Sequence, residues 1–238
     1  MREAVYAGTR NLYGAMVPAV KSLVANSAVD RIHLLIEDGE FPYELPDLVE
    51  VHDVSGQTFF RPDGPNMRGR YTYMAMMRAA LCHVLEGDKV LSLDVDTIAV
   101  RDCTAVWDIP LEGCYFAASR EPHRMALGNG FMYCNTGVAL YNLSKLRDGK
   151  ADEVIEVLNT ARYEWMEQDL FNYLCQGRIA EMDGRYNWCD FTVHAYDPII
   201  RHFAAVQDWH LATEYLQYRH LSWDEAMDRH ARIVRRHA

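Results

Sequence analysis

The sequence predicts an α/β domain whose mostly parallel, mixed sheet is flanked by helices, and three observations predict it. Short apolar runs of strand length alternate with stretches of helical period along the first half of the chain. Each strand–helix–strand succession calls for a right-handed crossover and therefore for parallel neighbours. The chain has 238 residues, half of them hydrophobic, which suits one large core and leaves too little for a second.

Ala4 to Ala7 is the first strand candidate, followed by the turn-like Gly8-Thr9-Arg10-Asn11. From Tyr13 onward Ala15, Met16, Ala19, Val20, Leu23 and Val24 recur at helical spacing. Ile32 to Ile36 is the next buried strand, and Val49 to Val54 a shorter third. The stretch from Gly56 to Arg70 breaks the rhythm with two prolines, three glycines and Phe59-Phe60, and a loop of that length is often a functional lid. Tyr73, Met76, Met77, Ala80, Leu81, Val84 and Leu85 then form a helical stripe, with Arg78 off it. Val90 to Leu93 reads as a buried strand, Tyr115 to Ala118 as another, and Gly128 and Gly130 mark a second flexible loop. Asn135 to Asn142 is a turn feeding a strand, Ala151 to Ala161 an amphipathic helix, and Glu167-Gln168-Asp169 the acidic first turn of a further helix. Ile199 to Phe203 is strand-like. Ser222-Trp223-Asp224-Glu225 is a capping box for a terminal helix rich in arginine at its end.

Net charge is −10, which argues against a nucleic-acid binder held by phosphate contacts. Six cysteines are scattered with no CxxC pair, the pattern of reduced thiols in a cytoplasm. No signal peptide and no apolar stretch near the ~20 residues of a membrane span is visible. The expected location is cytoplasmic.

Asp94-Val95-Asp96 closes the Val90–Leu93 strand. Residues i and i+2 of a strand point to one side, so both carboxylates can converge on one ligand, and a divalent cation relieves their repulsion. A bare DxD triplet is equally an acidic strand end running into a solvated turn. The apolar run before it places this pair at the carboxyl edge of a sheet, where open α/β sheets bind ligands.

Further motifs follow in order: Arg78 sixteen residues before Asp94, then Asn135-Thr136-Gly137-Val138, Glu167 to Asn172, Tyr186-Asn187-Trp188, and His202-Phe203 with Trp209. From Val5 to Trp209 this succession resembles the family 8 glycosyltransferases, the group that includes glycogenin and bacterial lipopolysaccharide galactosyltransferases. The resemblance implies a GT-A fold over residues 1–210, with 211–238 as a helical extension packed on it. It further implies a retaining, UDP-sugar-dependent hexosyltransferase that uses Mn²⁺, with Mg²⁺ as the alternative. The acceptor is unknown, and a homodimer is compatible.

By that resemblance Asp94, Asp96 and His202 hold the metal, and two carboxylates with one imidazole suit Mn²⁺. Ala7, Gly8, Thr9, Asn11, Tyr13 and Val95 form the nucleotide site, with Tyr13 stacking on uracil. Arg78, Glu121, Asn135, Thr136, Glu167 and Gln168 line the sugar, and Arg78, Asn135, Gln168 and Asp169 form the catalytic set. Several positions depart from the family pattern. Thr9, Glu121 and Glu167 stand where relatives often carry aspartate, and Ala205 replaces a glycine. The lysine expected six residues after the histidine is Asp208, with Gln207 the nearest polar replacement, and Trp209 comes one residue early. Arg78 or Arg201 would then have to help neutralise the leaving UDP.

Retention by double displacement needs a carboxylate beside the anomeric carbon. The register places Gln168 there, which favours front-face substitution, with Asp169, Glu167 or Glu121 as the rival nucleophiles. Two other readings compete. In one, Asp94 is the nucleophile and Asp96 the acid/base of a haloacid-dehalogenase-type phosphatase, although three strands precede a motif that normally lies on the first. In the other, the missing lysine marks a nucleotide-sugar-binding module without turnover.

Overall fold

The computed structural model describes residues 1–67, 71–122, 132–192 and 197–238. The Gly128–Gly130 loop and residues 68–70 of the 56–70 loop lie outside them. Strands β1 (Glu3–Gly8), β2 (Arg31–Ile36), β3 (Val49–Asp53), β4 (Lys89–Leu93), β6 (Phe116–Arg120), β7 (Cys134–Asn142) and β8 (Ile179–Glu181) form one sheet in the order β3-β2-β1-β4-β7-β6-β8. The pairs β3·β2, β2·β1, β1·β4 and β6·β8 are parallel, whereas β7 runs antiparallel to both β4 and β6. The sheet is thus mixed and mostly parallel. A separate antiparallel pair joins β5 (Thr97–Ala99) to β9 (Ile200–His202).

Alternation along the strands assigns the two faces. Ala4, Tyr6, Ile32, Leu34, Leu91 and Leu93 belong to one core, with α1 (Tyr13–Ala25), α5 (Thr213–His220) and α6 (Trp223–His237). Val5, Leu35 and Val90 belong to the other, with α2 (Tyr73–Val84), α3 (Lys150–Thr160) and α4 (Met166–Leu174). Strands buried on both faces need continuous apolar runs, which is why β1, β2 and β4 were visible as such. The terminal helix begins at the expected capping box, Ser222 with Glu225, and packs on α1.

The described part of the 56–70 loop is tied down. Asn159 of α3 accepts from the Arg61 N–H and donates to the Phe59 carbonyl, and Asn66 donates to the carbonyls of Leu158 and Ala161. Strands β5 and β8 and helix α5 carry no clear sequence signal, being short or of weak periodicity. Val106-Trp107 sits in a 3₁₀ turn. The six cysteines are unpaired. No helix among the described residues is long and apolar enough to cross a membrane.

The chain runs β1, β2, β3 outward to one side of β1 and then places β4 on its other side. That reversal is the topological switch point of the sheet, and a crevice opens there at the carboxyl ends of the strands. Gly8 ends β1 and Asp94 follows β4 at this point.

Candidate active site

Backbone pairing assembles the acidic cluster. The Asp94 N–H donates to the Gly137 carbonyl (2.7 Å), and the Thr97 hydroxyl to the Asp94 carbonyl (2.7 Å), folding the chain into β5. In the β5·β9 ladder Thr97 faces His202, and the Phe203 N–H donates to the Asp96 carbonyl. His202 Nε2 thereby lies 3.5 Å from Asp94 Oδ2 and 3.4 Å from Asp96 Oδ1. The three ligand atoms fall within 4.8 Å of one another.

Asn187 fixes the imidazole, its Oδ1 lying 2.8 Å from His202 Nδ1, while its amide N–H groups donate to the Asn135 carbonyl and Oδ1. Nε2 is therefore the nitrogen turned to the carboxylates. Gly137 leaves the room: a Cβ there would lie 2.1 Å from His202 Cε1 and 2.8 Å from Asp94 Oδ2. These residues fit a divalent ion, two carboxylates and one oriented imidazole around a cradle that a methyl group would fill. Although burial disfavours its charge, the Asp96 charge and hydrogen bonds to Asp94 and Asp96 hold the His202 pKa well above the ordinary histidine range. An ion binding there would compete with a proton.

Arg78 is buried, not on a solvated helix face. Its guanidinium bridges Asp94 and Glu167, the latter at 2.5 Å. Burial pushes the Glu167 carboxyl up to about 7 against the pull of Arg78. Asp94 is held below its usual range, Arg78 and His202 outweighing its burial.

A cleft of about 320 Å³ runs from the Asp94–Asp96–His202 cluster to the start of α4. Asn135, Thr136, Glu167, Gln168, Arg78 and Glu121 all line it. A register shift between Ala118 and Ser119 of β6 releases the Thr136–Val138 stretch from pairing with β6, so Asn135 and Thr136 reach the cleft. Gln168 Oε1 accepts from the Thr136 N–H (2.9 Å), and its amide donates to Tyr133 Oη (3.1 Å) and Glu121 (3.4 Å). Met166, the first residue of α4, takes φ 41°, a left-handed conformation that aims the next turn.

Three expectations need correction. Asp169 does not line the cleft: its Oδ1 accepts from the Tyr133 hydroxyl (2.6 Å) and its Oδ2 from the Trp165 N–H (3.0 Å), bracing the start of α4. Arg201 turns elsewhere, pairing with Glu214 and stacking on Trp188 and Phe203. Tyr13 is 1% exposed, its ring against Phe41 and its hydroxyl donating to Asp38, so stacking a base on it requires the Phe41 segment to shift.

The other nucleotide-site candidates cluster at the switch point. A Cβ on Gly8 would touch Val95, and the Thr9 hydroxyl donates to Asn11 Oδ1 (2.6 Å), leaving the Asn11 amide nitrogen to offer. Trp209 packs edge-on against Tyr215, and Ala205, at φ 62°, keeps the backbone conformation a glycine would adopt freely. Among the described residues, the cationic groups lining the cleft are Arg78 and His202. Asn187 has no role in the sequence reading beyond its place in the Tyr186-Asn187-Trp188 motif, and Tyr71 and Trp165, which also line the cleft, carry no periodic or motif signal.

The family model described as Glycosyl transferase family 8 matches residues 5–199. Glycosyltransferase GlyE of Streptococcus pneumoniae is 26% identical over 202 residues, 79% of this chain and 48% of that protein. A crystal structure of GlyE covers 98% of this chain and 64% of its own, at TM-score 0.72 and 20% identity. The galactosyltransferase LgtC, solved with donor and acceptor sugar analogs, covers 95% of this chain and 99% of its own, at TM-score 0.67 and 19% identity. The chain spans half or less of the length of the curated relatives it matches.

Proposed function

Because the chain belongs to glycosyltransferase family 8, we propose that it moves a hexose, glucose or galactose, from a UDP-sugar to an acceptor with retention of configuration. The observation that carries this reading is the convergence of Asp94, Asp96 and His202 at the switch point, in a cleft that Asn135, Gln168 and Glu167 also line. The galactosyltransferase and sugar-analog complex named among its structural neighbours support the substrate class. Family membership favours the transferase over the phosphatase reading, and Asp94, bound to Arg78 and beside His202, is poorly placed as a nucleophile.

Asp94, Asp96 and His202 would hold Mn²⁺ or Mg²⁺, which supplies Lewis-acid stabilisation of the diphosphate leaving group. Arg78, freed from Asp94, turns its fork to the diphosphate or the sugar. Gly8, Thr9, Asn11 and Val95 receive the nucleoside at the ends of β1 and β4. Asn135, Thr136 and Gln168 position the sugar, and Glu121 and Glu167 offset positive charge developing on its ring.

Gln168 is an amide and a poor nucleophile, while Asp169 spends both oxygens on Tyr133 and Trp165. The reaction therefore runs by front-face substitution, with the acceptor entering on the side that UDP leaves and its proton passing to the departing phosphate oxygen. Glu121 and Glu167 remain the rivals for a covalent route. Donor hydrolysis by the full chain, measured with each UDP-sugar with and without Mn²⁺, tests the reading. Mn²⁺-dependent release of UDP supports it, metal-independent release counts against the metal, and binding without release supports a module lacking turnover. Intact-mass analysis with a slow fluorinated donor separates the mechanisms, since an adduct on Glu121 or Glu167 contradicts front-face substitution.

A further inference from the structure

A second cluster of metal-ligating side chains lies away from this cleft, on β2 and the edge strand β3. Parallel pairing sets His33 opposite Glu50 and Leu35 opposite His52, so these side chains project from one face of the sheet. His33 Nδ1 lies 2.9 Å from His52 Nε2, and the Glu50 carboxylate lies 3.9 Å from the first and 3.8 Å from the second. One ligand atom from each falls within 4.8 Å of the others. Bonds of about 2.0–2.2 Å to a common tetrahedral ion separate ligand atoms by roughly 3.3–3.5 Å, which this triangle brackets.

The His33 ring holds one hydrogen bond, its contact with His52, in which one ring donates the proton that an ion would replace. His33 is buried beside the apolar core that includes Val5 and Leu35, and its Nε2 has no hydrogen-bond partner among the described residues. A neutral imidazole bound to an ion through Nδ1 carries its proton on Nε2. Burial first, and then the neighbouring His52, push the His33 pKa down to about 4. Glu50 is half exposed and His52 partly so, which leaves an entry path and an open position for water. Arg31 is 3.7 Å from Glu50 and half exposed, so it can swing aside.

We propose that His33, Glu50 and His52 form a second metal site, a His–His–carboxylate triad that takes one divalent transition ion of the zinc type. Two imidazoles and one carboxylate select Zn²⁺ or Co²⁺ over Mg²⁺ and Ca²⁺, which prefer oxygen ligands. The ion would cross-link the edge strand to its neighbour, pinning a strand otherwise open on one side.

The test is equilibrium dialysis of the full chain against Zn²⁺ alone, in an Asp96→Asn background that weakens the cleft site. The result expected is about one zinc per chain, with affinity lowered about tenfold or more by adding His52→Gln or, independently, Glu50→Gln. Both substituted positions reach the surface, and thermal midpoints measured without metal establish that the variants fold. Co²⁺ in place of Zn²⁺ should give the visible absorption of a tetrahedral, nitrogen-ligated ion, lost in His52→Gln. Folded variants that bind zinc as tightly as their parent, or a parent that binds none, overturn the proposal.

Discussion

The two three-ligand clusters of this protein share a plan and differ in their atoms. In each, a residue pair flanking a valine, Asp94-Val95-Asp96 or Glu50-Val51-His52, meets a histidine from a neighbouring strand. At the switch point the set is two carboxylates and an imidazole, and, against its burial, the two carboxylates raise the His202 pKa well above the ordinary histidine range. At the sheet edge it is two imidazoles and a carboxylate, and burial keeps His33 neutral. The comparison teaches that position and donor type suit the two clusters to different ions. An oxygen-rich cluster at the carboxyl edge suits a hard ion shared with a substrate's oxygens, and a nitrogen-rich one suits an ion held by protein alone.

The largest expected effect breaks one cluster and spares the other. Asp96→Asn should lower turnover by roughly 10³-fold or more, because the ion proposed to hold the diphosphate would lose a ligand. His52→Gln should leave turnover within about twofold, since its cluster lies outside the cleft. Steady-state donor hydrolysis at saturating Mn²⁺ reads both.

Gly137→Ala sharpens the same point without removing a ligand. Its methyl group would occupy the space of His202 Cε1 and crowd Asp94. Turnover should fall on the order of 100-fold through misplaced ligands, with far-UV circular dichroism unchanged. Asn187→Ala should weaken Mn²⁺ binding roughly 10–100-fold, because it frees the second nitrogen of His202. A Mn²⁺ titration followed by electron paramagnetic resonance checks it.

The two histidines should also give opposite pH signatures in metal-free protein. His33 has a depressed folded pKa, so its stability contribution is present above the unfolded value of about 6.5 and is lost as pH falls towards about 4. With some screening at the rim, that loss is roughly 1–3 kcal/mol. His202 has a raised folded pKa, so its contribution is full below about 6.5 and is lost as pH rises through the folded value. Urea unfolding across this range should show His33→Gln flattening the acid side only. The smallest effect expected is at the cleft rim, where Ala205→Gly relieves a left-handed alanine and should stabilise the fold by about 0.5–1 kcal/mol in the same assay.

What the sequence revealed follows from how far apart the signals lie. Asp94 and Asp96 are two residues apart on a strand end, so their convergence is local and legible. The strands β1, β2 and β4 announce themselves because burial on both faces demands unbroken apolar runs. His202 became legible only through the order of family motifs, since its partner strand is 3 residues long. His33 and His52 are separated by a loop of irregular length, and only the β2·β3 register brings them together. Asp169 and Tyr13 carry a functional expectation only through the family resemblance, yet each is occupied by hydrogen bonds that no sequence pattern encodes. The Ala205 departure from a glycine pattern proved conservative in geometry, as the backbone keeps its left-handed turn at the cost of some strain.

The central claim is that Asp94, Asp96 and His202 bind a donor nucleotide through a shared ion. Isothermal titration of UDP into the full chain, with and without Mn²⁺, for the parent and for Asp96→Asn, tests it most directly. The account predicts UDP binding that requires Mn²⁺ in the parent and weakens at least about tenfold in Asp96→Asn. UDP binding of equal strength without Mn²⁺, or untouched by the substitution in a folded variant, would contradict it.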